Sequence, residues 1–321
     1  MPNSAGLQNI EAFVRRLDTS DLSNLRVSFH DRWVAVHPVV LAAVACAGAL
    51  VTQNGGKVSS EVPKVATLPY LVVMRLFDWL GVNPGISVTE HEAAGRFIPL
   101  TQIRTDADLA AFMVKVTPLL HGQPHQREAV NYIKYVVSEL VRNALEHAAS
   151  QVGAFACAQY YKNTKRVSIG VADAGIGIQA SMSRSHPVRS SLEAIELALR
   201  PGITGTTARY GGTEYNAGAG LFFTKAIARA SRNFFVIYSG DGLFKLRKGS
   251  SRVEPVIQAD PKMDPATWRN EMPTWPGTVT GIDVSLEAGR TFAQLMSAIG
   301  DVYHREVAAD KKARYRRPTF T

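Results

Sequence analysis

The stretch Glu139-Leu-Val-Arg-Asn-Ala-Leu-Glu-His147 carries the clearest structural signal in this chain of 321 residues. Its polar residues Glu139, Asn143 and His147 recur every fourth position, and at about 100° per residue they fall on one helical stripe. The buried side of the same helix is supplied by Val136, Val137, Leu140, Val141, Ala144 and Leu145. The pattern predicts a helix over residues 132–149 with a carboxylate, a carboxamide and an imidazole along one edge.

These three side chains suit a binding site. An amide oxygen is a hard ligand for Mg²⁺, which takes few protein groups and completes its shell with phosphate and water oxygens, and we assign this role to Asn143. Glu139, one turn earlier, could orient or deprotonate an attacking water or hydroxyl as a general base. Alone, the pattern fits an ordinary amphipathic helix with a solvated face better, and two later segments change that balance.

The second segment, Asp173-Ala-Gly-Ile-Gly-Ile178, follows a β-branched run that predicts a strand over residues 166–173. Gly175 and Gly177 permit a turn that brings the backbone close to a flat ligand. By itself, the segment favours a plain Asp-Xaa-Gly turn at the end of a strand.

The third segment, Gly218-Ala-Gly-Leu-Phe-Phe-Thr-Lys225, begins an apolar run with helical propensity. Glycine just before a helix leaves N–H groups at its positive end, where phosphate is a natural ligand. The spacing matches neither a Walker A loop nor a dinucleotide-binding fingerprint. Lys225, one turn into the helix, is either a phosphate contact or only a surface charge.

In their order and spacing, the three segments resemble the N, G1 and G2 boxes of the GHKL superfamily, which contains gyrase, heat-shock chaperone, histidine kinase and mismatch-repair ATPases. The resemblance covers about residues 120–290 and implies a Bergerat-type α/β sandwich of the α+β kind that binds ATP and Mg²⁺. It implies that Asp173 accepts a hydrogen bond from the adenine amino group. The implied site has Glu139 as its catalytic base and Asn143 as its magnesium ligand. The residues implied around the nucleotide are Asn143, His147, Asp173, Gly175, Gly177, Ile178, Thr204, Thr206, Gly218, Gly220, Leu221 and Thr278.

Two further stretches fit this resemblance. The Gly- and Thr-rich connection over residues 179–217 has the length of a mobile functional loop. In the family this place belongs to the ATP lid, which predicts that Thr204, Thr206 and Arg209 reach phosphate oxygens. The stretch from Trp275 to Leu286 alternates as a strand. It resembles the Gly-Thr strand that closes the adenine pocket in this family, with Thr278 beside the Asp.

The first 120 residues predict a separate small α/β domain. Strand, helix, strand and helix candidates follow one another at residues 25–29, 37–52, 57–62 and 68–80. This order resembles a STAS-type domain of the anti-sigma-antagonist kind, a fold often coupled to GHKL kinases. The phosphorylatable Ser or Thr of such antagonists is not evident, so the resemblance implies a docking module or a homodimer contact. The predicted division is 1–120, an ATP-binding domain at 121–300 and a basic tail at 301–321.

The composition of the chain limits which partners and which location we expect for the protein. The net charge is +9, and the run at residues 311–317 is strongly basic. Such a run could contact nucleic acid or an acidic partner, although a solvated terminus is favoured. Without about eighteen consecutive apolar residues or a signal-peptide pattern, we expect no membrane contact and a cytoplasmic location. Cys46 and Cys157 lie in apolar runs and are expected to be buried thiols.

The resemblance is closest to the anti-sigma serine kinase type, because histidine kinases commonly carry Asn where Glu139 stands. Too few residues follow Leu286 for the transducer domain of gyrase-like members. We expect an ATP-binding regulatory protein, an ATPase or a serine/threonine-type kinase acting on a protein partner. Two alternatives stay open: a nucleotide-dependent interaction switch without chemistry, and a nucleic-acid-associated ATPase that uses the basic tail.

Overall fold

The computed structural model describes residues 1–2, 4–21, 23–32, 35–88, 96–121, 126–205, 219–250, 252, 254–286 and 291–314. Its strands are β1 Ser4–Ala5, β2 Asn24–Val27, β3 Ala35–Val36, β4 Lys57–Ser60, β5 Phe97–Ile103, β6 Ala154–Tyr161, β7 Arg166–Asp173, β8 Phe235–Gly240, β9 Gly242–Leu246, β10 Ala266–Arg269 and β11 Trp275–Ser285. Its α-helices are α1 Ile10–Val14, α2 Pro38–Gln53, α3 Leu68–Val73, α4 Leu76–Leu80, α5 Asp106–Val114, α6 Val116–Leu119, α7 Gln126–His147, α8 Gly177–Ser183, α9 Ser191–Ala198, α10 Gly220–Ala230 and α11 Phe292–Arg314.

A seven-stranded sheet in the order β10-β9-β8-β11-β7-β6-β5 forms the centre of this mixed α+β fold, and every pair in it is antiparallel. The predicted strand at residues 166–173 is β7, and the strand predicted from Trp275 is β11. Because β11 lies between β7 and β8, the end of β7 and the start of β11 are neighbours.

Helices cover both faces of the sheet. Successive side chains of a strand point to opposite faces, and in β6 the residues Ala154, Ala156 and Ala158 join one core while Phe155 and Cys157 join the other. The first core contains α7, α10 and α11, and the second contains α1, α2 and α4. The predicted helix over residues 132–149 is α7, which begins earlier, at Gln126.

The N-terminal residues pack directly on the central sheet. The predicted strands at residues 25–29 and 57–62 form as β2 and β4, which pair in parallel, and the helix predicted at 37–52 forms as α2. However, α2 lies against β6 and β7 and shares their core, and β5 is an edge strand of the same sheet. The sheet therefore crosses the boundary that the sequence predicts at residue 120.

A buried polar contact joins α2 to β11. His37 caps α2 by accepting the Val39 N–H at Nδ1, and its Nε2 lies 3.2 Å from Asp283 Oδ1. Ser168 donates its hydroxyl to the same Asp283 oxygen. Burial raises the pKa of Asp283, but its bonds to His37 and Ser168 and the charges of His37 and Arg166 outweigh burial and lower it. This network stabilises the contact between two parts of the chain that are distant in sequence.

Three further predictions meet the structure in different ways. The helix predicted at residues 68–80 is interrupted, because Arg75 adopts a left-handed conformation with φ of 62° between α3 and α4. Helix α11 continues to Arg314, so the segment predicted as a basic tail begins as helix. Cys46 and Cys157 are buried free thiols, as predicted.

In the part of the chain that the structure describes, no helix is long and apolar enough to cross a membrane.

Candidate functional site

A cavity of about 290 Å³ lies between α7, the turn after β7 and the start of α10. The predicted site residues that line it are Glu139, Asn143, His147, Asp173, Gly177, Ile178, Thr204, Gly220, Leu221 and Thr278. Gly175 is not among the lining residues, and Thr206, Arg209 and Gly218 lie outside the described residues. Segments that are separate in sequence thus meet around one space.

Helix α7 presents its polar stripe to the cavity. Glu139 is half-buried, and burial raises the pKa of its carboxyl, with Arg142 opposing and Glu146 assisting that rise. Burial lowers the pKa of His147, with Glu146 opposing this shift and Arg184 adding to it. The charged forms of both groups are therefore disfavoured, as expected for side chains withdrawn from water.

Asn143 has an unsatisfied side-chain amide. Its Nδ2 is buried and has no hydrogen-bond partner among the residues that the structure describes. A buried donor without a partner costs about 1–3 kcal/mol, and such atoms commonly mark a site for water, an ion or a ligand. Rotation of the amide exchanges its nitrogen and oxygen, so Asn143 can present either a donor or an acceptor to a ligand in the cavity.

Asp173 ends β7 and is only 4% exposed. Its Oδ1 accepts the N–H groups of Gly175 at 3.0 Å and Thr278 at 3.3 Å, and the residue forms part of the cavity wall. Burial raises the pKa of Asp173 to about 7, although both backbone N–H groups oppose the rise. Near neutral pH this carboxyl is therefore present in both protonated and ionised forms.

Two glycines are closely packed at the site, Gly175 against backbone and Gly220 against a side chain. A Cβ on Gly175 would overlap the carbonyl of Ala148, which itself accepts the Ile176 N–H at 2.7 Å. A Cβ on Gly220 would overlap the Glu139 carboxylate. The turn after Asp173 therefore sits on the end of α7, and the start of α10 sits against Glu139.

Helix α7 thereby spans the cavity. Glu139 stands beside the start of α10, and Ala148 supports the turn after Asp173 nine residues later. At 1.5 Å of rise per residue, the two positions are about 13 Å apart along the helix axis. The cavity can accept an elongated ligand that meets Asp173 at one end and the N-terminus of α10 at the other.

Lys225 does not face this cavity. It is 1% exposed, and its Nζ donates to Asp264 Oδ2 at 2.6 Å and to the carbonyl of Gln258 at 2.8 Å. Burial lowers its pKa, and the charge of Asp264 opposes that shift. Lys225 is thus neither a phosphate contact nor a surface charge, because one turn into α10 its side chain enters the core.

Sequence reasoning missed several residues at or behind the cavity, among them Thr280, Tyr135 and Ser239. Thr280 and Tyr135 line it, and both could be found from periodicity: Thr280 lies two residues after Thr278 on one strand face, and Tyr135 lies four residues before Glu139 on the helix. Ser239 supports the cavity from behind through hydrogen bonds to Ile178, Gly277 and Thr278. Nothing in the sequence around Ser239 indicates those contacts.

Asn143 is one of the lining residues whose oxygen is suited to a hard cation. Among the described residues, no group of three or more His, Cys, Asp and Glu side chains could hold a metal ion. Asn143 would be the protein ligand of a Mg²⁺ whose other ligands come from phosphate and water. Comparison of the chain with protein-family models, curated proteins and solved structures found no match.

Proposed function

We propose that the protein binds Mg-ATP in this cavity and either hydrolyses it slowly or transfers its γ-phosphate to a Ser or Thr of a protein partner. The observation that carries the proposal is the convergence of α7, the turn after β7, the start of α10 and the start of β11 on one cavity. The segments at the Asp173 end of the cavity offer groups that suit the base, and those at the Glu139 end offer groups that suit the phosphates.

The Asp173 end suits adenine. An ionised carboxylate in the cavity wall is an acceptor for the amino group of the base, and it can donate nothing. The surrounding side chains of Ile178, Met182 and Ile203 add an apolar lining, which a flat aromatic ring requires. Thr278 holds Asp173 from its backbone N–H, so the carboxylate has a fixed orientation.

The Glu139 end suits the phosphates. Gly220 begins α10, and the unpaired N–H groups and dipole at a helix N-terminus favour an anion. Asn143 lies one turn from Glu139 and would hold Mg²⁺ through its amide oxygen. The bound ion would neutralise phosphate charge.

Glu139 would act as the general base. Its carboxylate would take the proton of the attacking water or hydroxyl while that oxygen bonds to phosphorus and ADP leaves with the bonding electrons. The raised pKa of Glu139 strengthens it as a base. Water gives slow hydrolysis, and a partner's hydroxyl gives a phosphoprotein.

The decisive experiment is calorimetric titration of the full chain with ATP and Mg²⁺, on the wild type and on Asp173→Ala in parallel. We expect micromolar to millimolar binding by the wild type and a loss of at least about tenfold in the variant, because a charge-assisted hydrogen bond is worth about 1.5–3 kcal/mol. Binding that ignores the substitution would place the nucleotide elsewhere. A wild type that binds no ATP would refute the proposal.

A further inference from the structure

Ser239 lies one residue before the end of β8 and is 1% exposed. Its hydroxyl accepts the Ile178 N–H at 2.9 Å, donates to the Gly277 carbonyl at 2.6 Å and accepts the Thr278 hydroxyl at 3.4 Å. A hydroxyl offers one proton and two lone pairs, so these contacts use its full capacity.

The partners of Ser239 belong to the two segments that hold Asp173. Ile178 follows the turn after Asp173 and lines the cavity. Gly277 precedes Thr278, whose N–H donates to Asp173 Oδ1. One buried hydroxyl therefore joins the turn after Asp173 to the strand that orients Asp173.

Ser239 can affect a ligand only through these neighbours, because it does not itself line the cavity. The fit around its hydroxyl is close: a Cβ on Gly177 would stand 3.0 Å from Ser239 Oγ. When the hydroxyl is removed, the Ile178 N–H and the Gly277 carbonyl each lose a partner. The two segments are then free to separate by the small distances that decide hydrogen-bond geometry.

We propose that Ser239 is a positioning residue that sets how strictly the cavity selects adenine over guanine. This inference rests on the proposed function. At the same ring position adenine carries an amino donor and guanine a carbonyl acceptor, so an ionised Asp173 attracts the first and repels the second. That discrimination depends on holding the carboxylate and the turn around the base within a fraction of an ångström.

The test is calorimetric measurement of ATP and GTP dissociation constants with Mg²⁺ at pH 8, on the full-length wild type and on Ser239→Ala, Ser239→Thr and Ser168→Ala. Ser168→Ala is the matched control, because it removes a buried strand hydroxyl that bonds Asp283 instead of the site. We expect Ser239→Ala to weaken ATP binding about tenfold and GTP binding much less, so that the preference for ATP falls. Ser239→Thr keeps a hydroxyl and should retain the preference, as should Ser168→Ala.

An unchanged ATP-to-GTP ratio in Ser239→Ala, together with a loss of thermal stability like that of Ser168→Ala, would overturn the positioning role and leave ATP binding intact. A wild type that binds neither nucleotide would overturn the proposed function and this inference with it. If Ser239→Ala does not fold, Ser239→Cys replaces it. The thiol keeps the volume but hydrogen-bonds weakly, and the same fall in ratio is expected.

Discussion

Replacement of Asp173 by Asn is expected to raise the free energy of unfolding above neutral pH and to weaken ATP binding at the same time. Asp173 is 4% exposed, and burial raises its pKa from 3.8 to about 7. Each tenfold change in proton affinity corresponds to about 1.4 kcal/mol, so ionising this buried carboxyl costs on the order of 4 kcal/mol once the pH is well above 7.

The direction in which stability changes with pH follows from the raised pKa of Asp173. A carboxyl that holds its proton more tightly when folded contributes stability that is fully present below about pH 4, its unfolded pKa. That contribution is lost as the pH rises towards and through about 7. Asn cannot ionise and can still accept the Gly175 and Thr278 N–H groups through Oδ1, but its amide nitrogen needs water or a ligand, which costs about 1–3 kcal/mol. The net gain expected for Asp173→Asn at pH 8.5 is therefore about 1–3 kcal/mol.

The assay is urea unfolding of both proteins at pH 5.0, 7.0 and 8.5 without nucleotide, followed by ATP titration at pH 8.5. Asp283→Asn is the control for which the opposite effect on stability is expected, because the pKa of Asp283 is lowered and its ionised carboxylate stabilises the fold. That variant should lose stability at neutral and higher pH, and the loss should shrink only as the pH falls below about 4. A stability difference between wild type and Asp173→Asn that is the same at pH 5.0 and 8.5 would refute the reasoning.

Three further predictions concern the other end of the cavity and the core of α10. Gly220→Ala should displace the Glu139 carboxylate, because the added Cβ overlaps it. We expect phosphate release to fall at least about tenfold more than ATP affinity does, and equal loss of both would contradict this. Glu139→Gln should keep ATP affinity within about threefold and reduce phosphate release or transfer at least about a hundredfold, whereas Glu193→Gln, on the surface of α9, should change neither. A wild type that binds ATP without release or transfer would favour a switch without chemistry. Lys225→Met should lower the free energy of unfolding by about 3–5 kcal/mol, because the buried Asp264 then keeps only the more distant Arg229, at 3.9 Å, as an ionic partner. The double variant with Asp264→Leu should recover most of that loss. If Lys225→Met abolished ATP binding while the double variant folded but still failed to bind, the structural role of Lys225 would be wrong.

Short-range pattern predicted several of the individual elements, including those that carry the cavity. The strand over residues 166–173 forms with those bounds, and α2 begins at Pro38 after its His37 cap. The polar stripe of α7 faces one cavity because positions four apart share a helix face whatever surrounds them. These features depend on spacing within about ten residues, which a single sequence displays directly.

Contacts between segments that are distant in sequence decided which buried side chains meet and which strands pair. Ser239 meets Gly277 only because β8 and β11 pair, and His37 meets Asp283 across 246 positions. Long-range pairing also adds β5, which precedes residue 120, to the central sheet.

The sequence by itself determined the helical stripe, the strand that ends at Asp173 and the order of the three segments. Only the tertiary structure decided that Lys225 points into the core and that Ser239 supports the turn after Asp173. The physical reason is that periodicity reports which face of an element is polar. The neighbour that satisfies each buried polar group, however, depends on how the elements pack together.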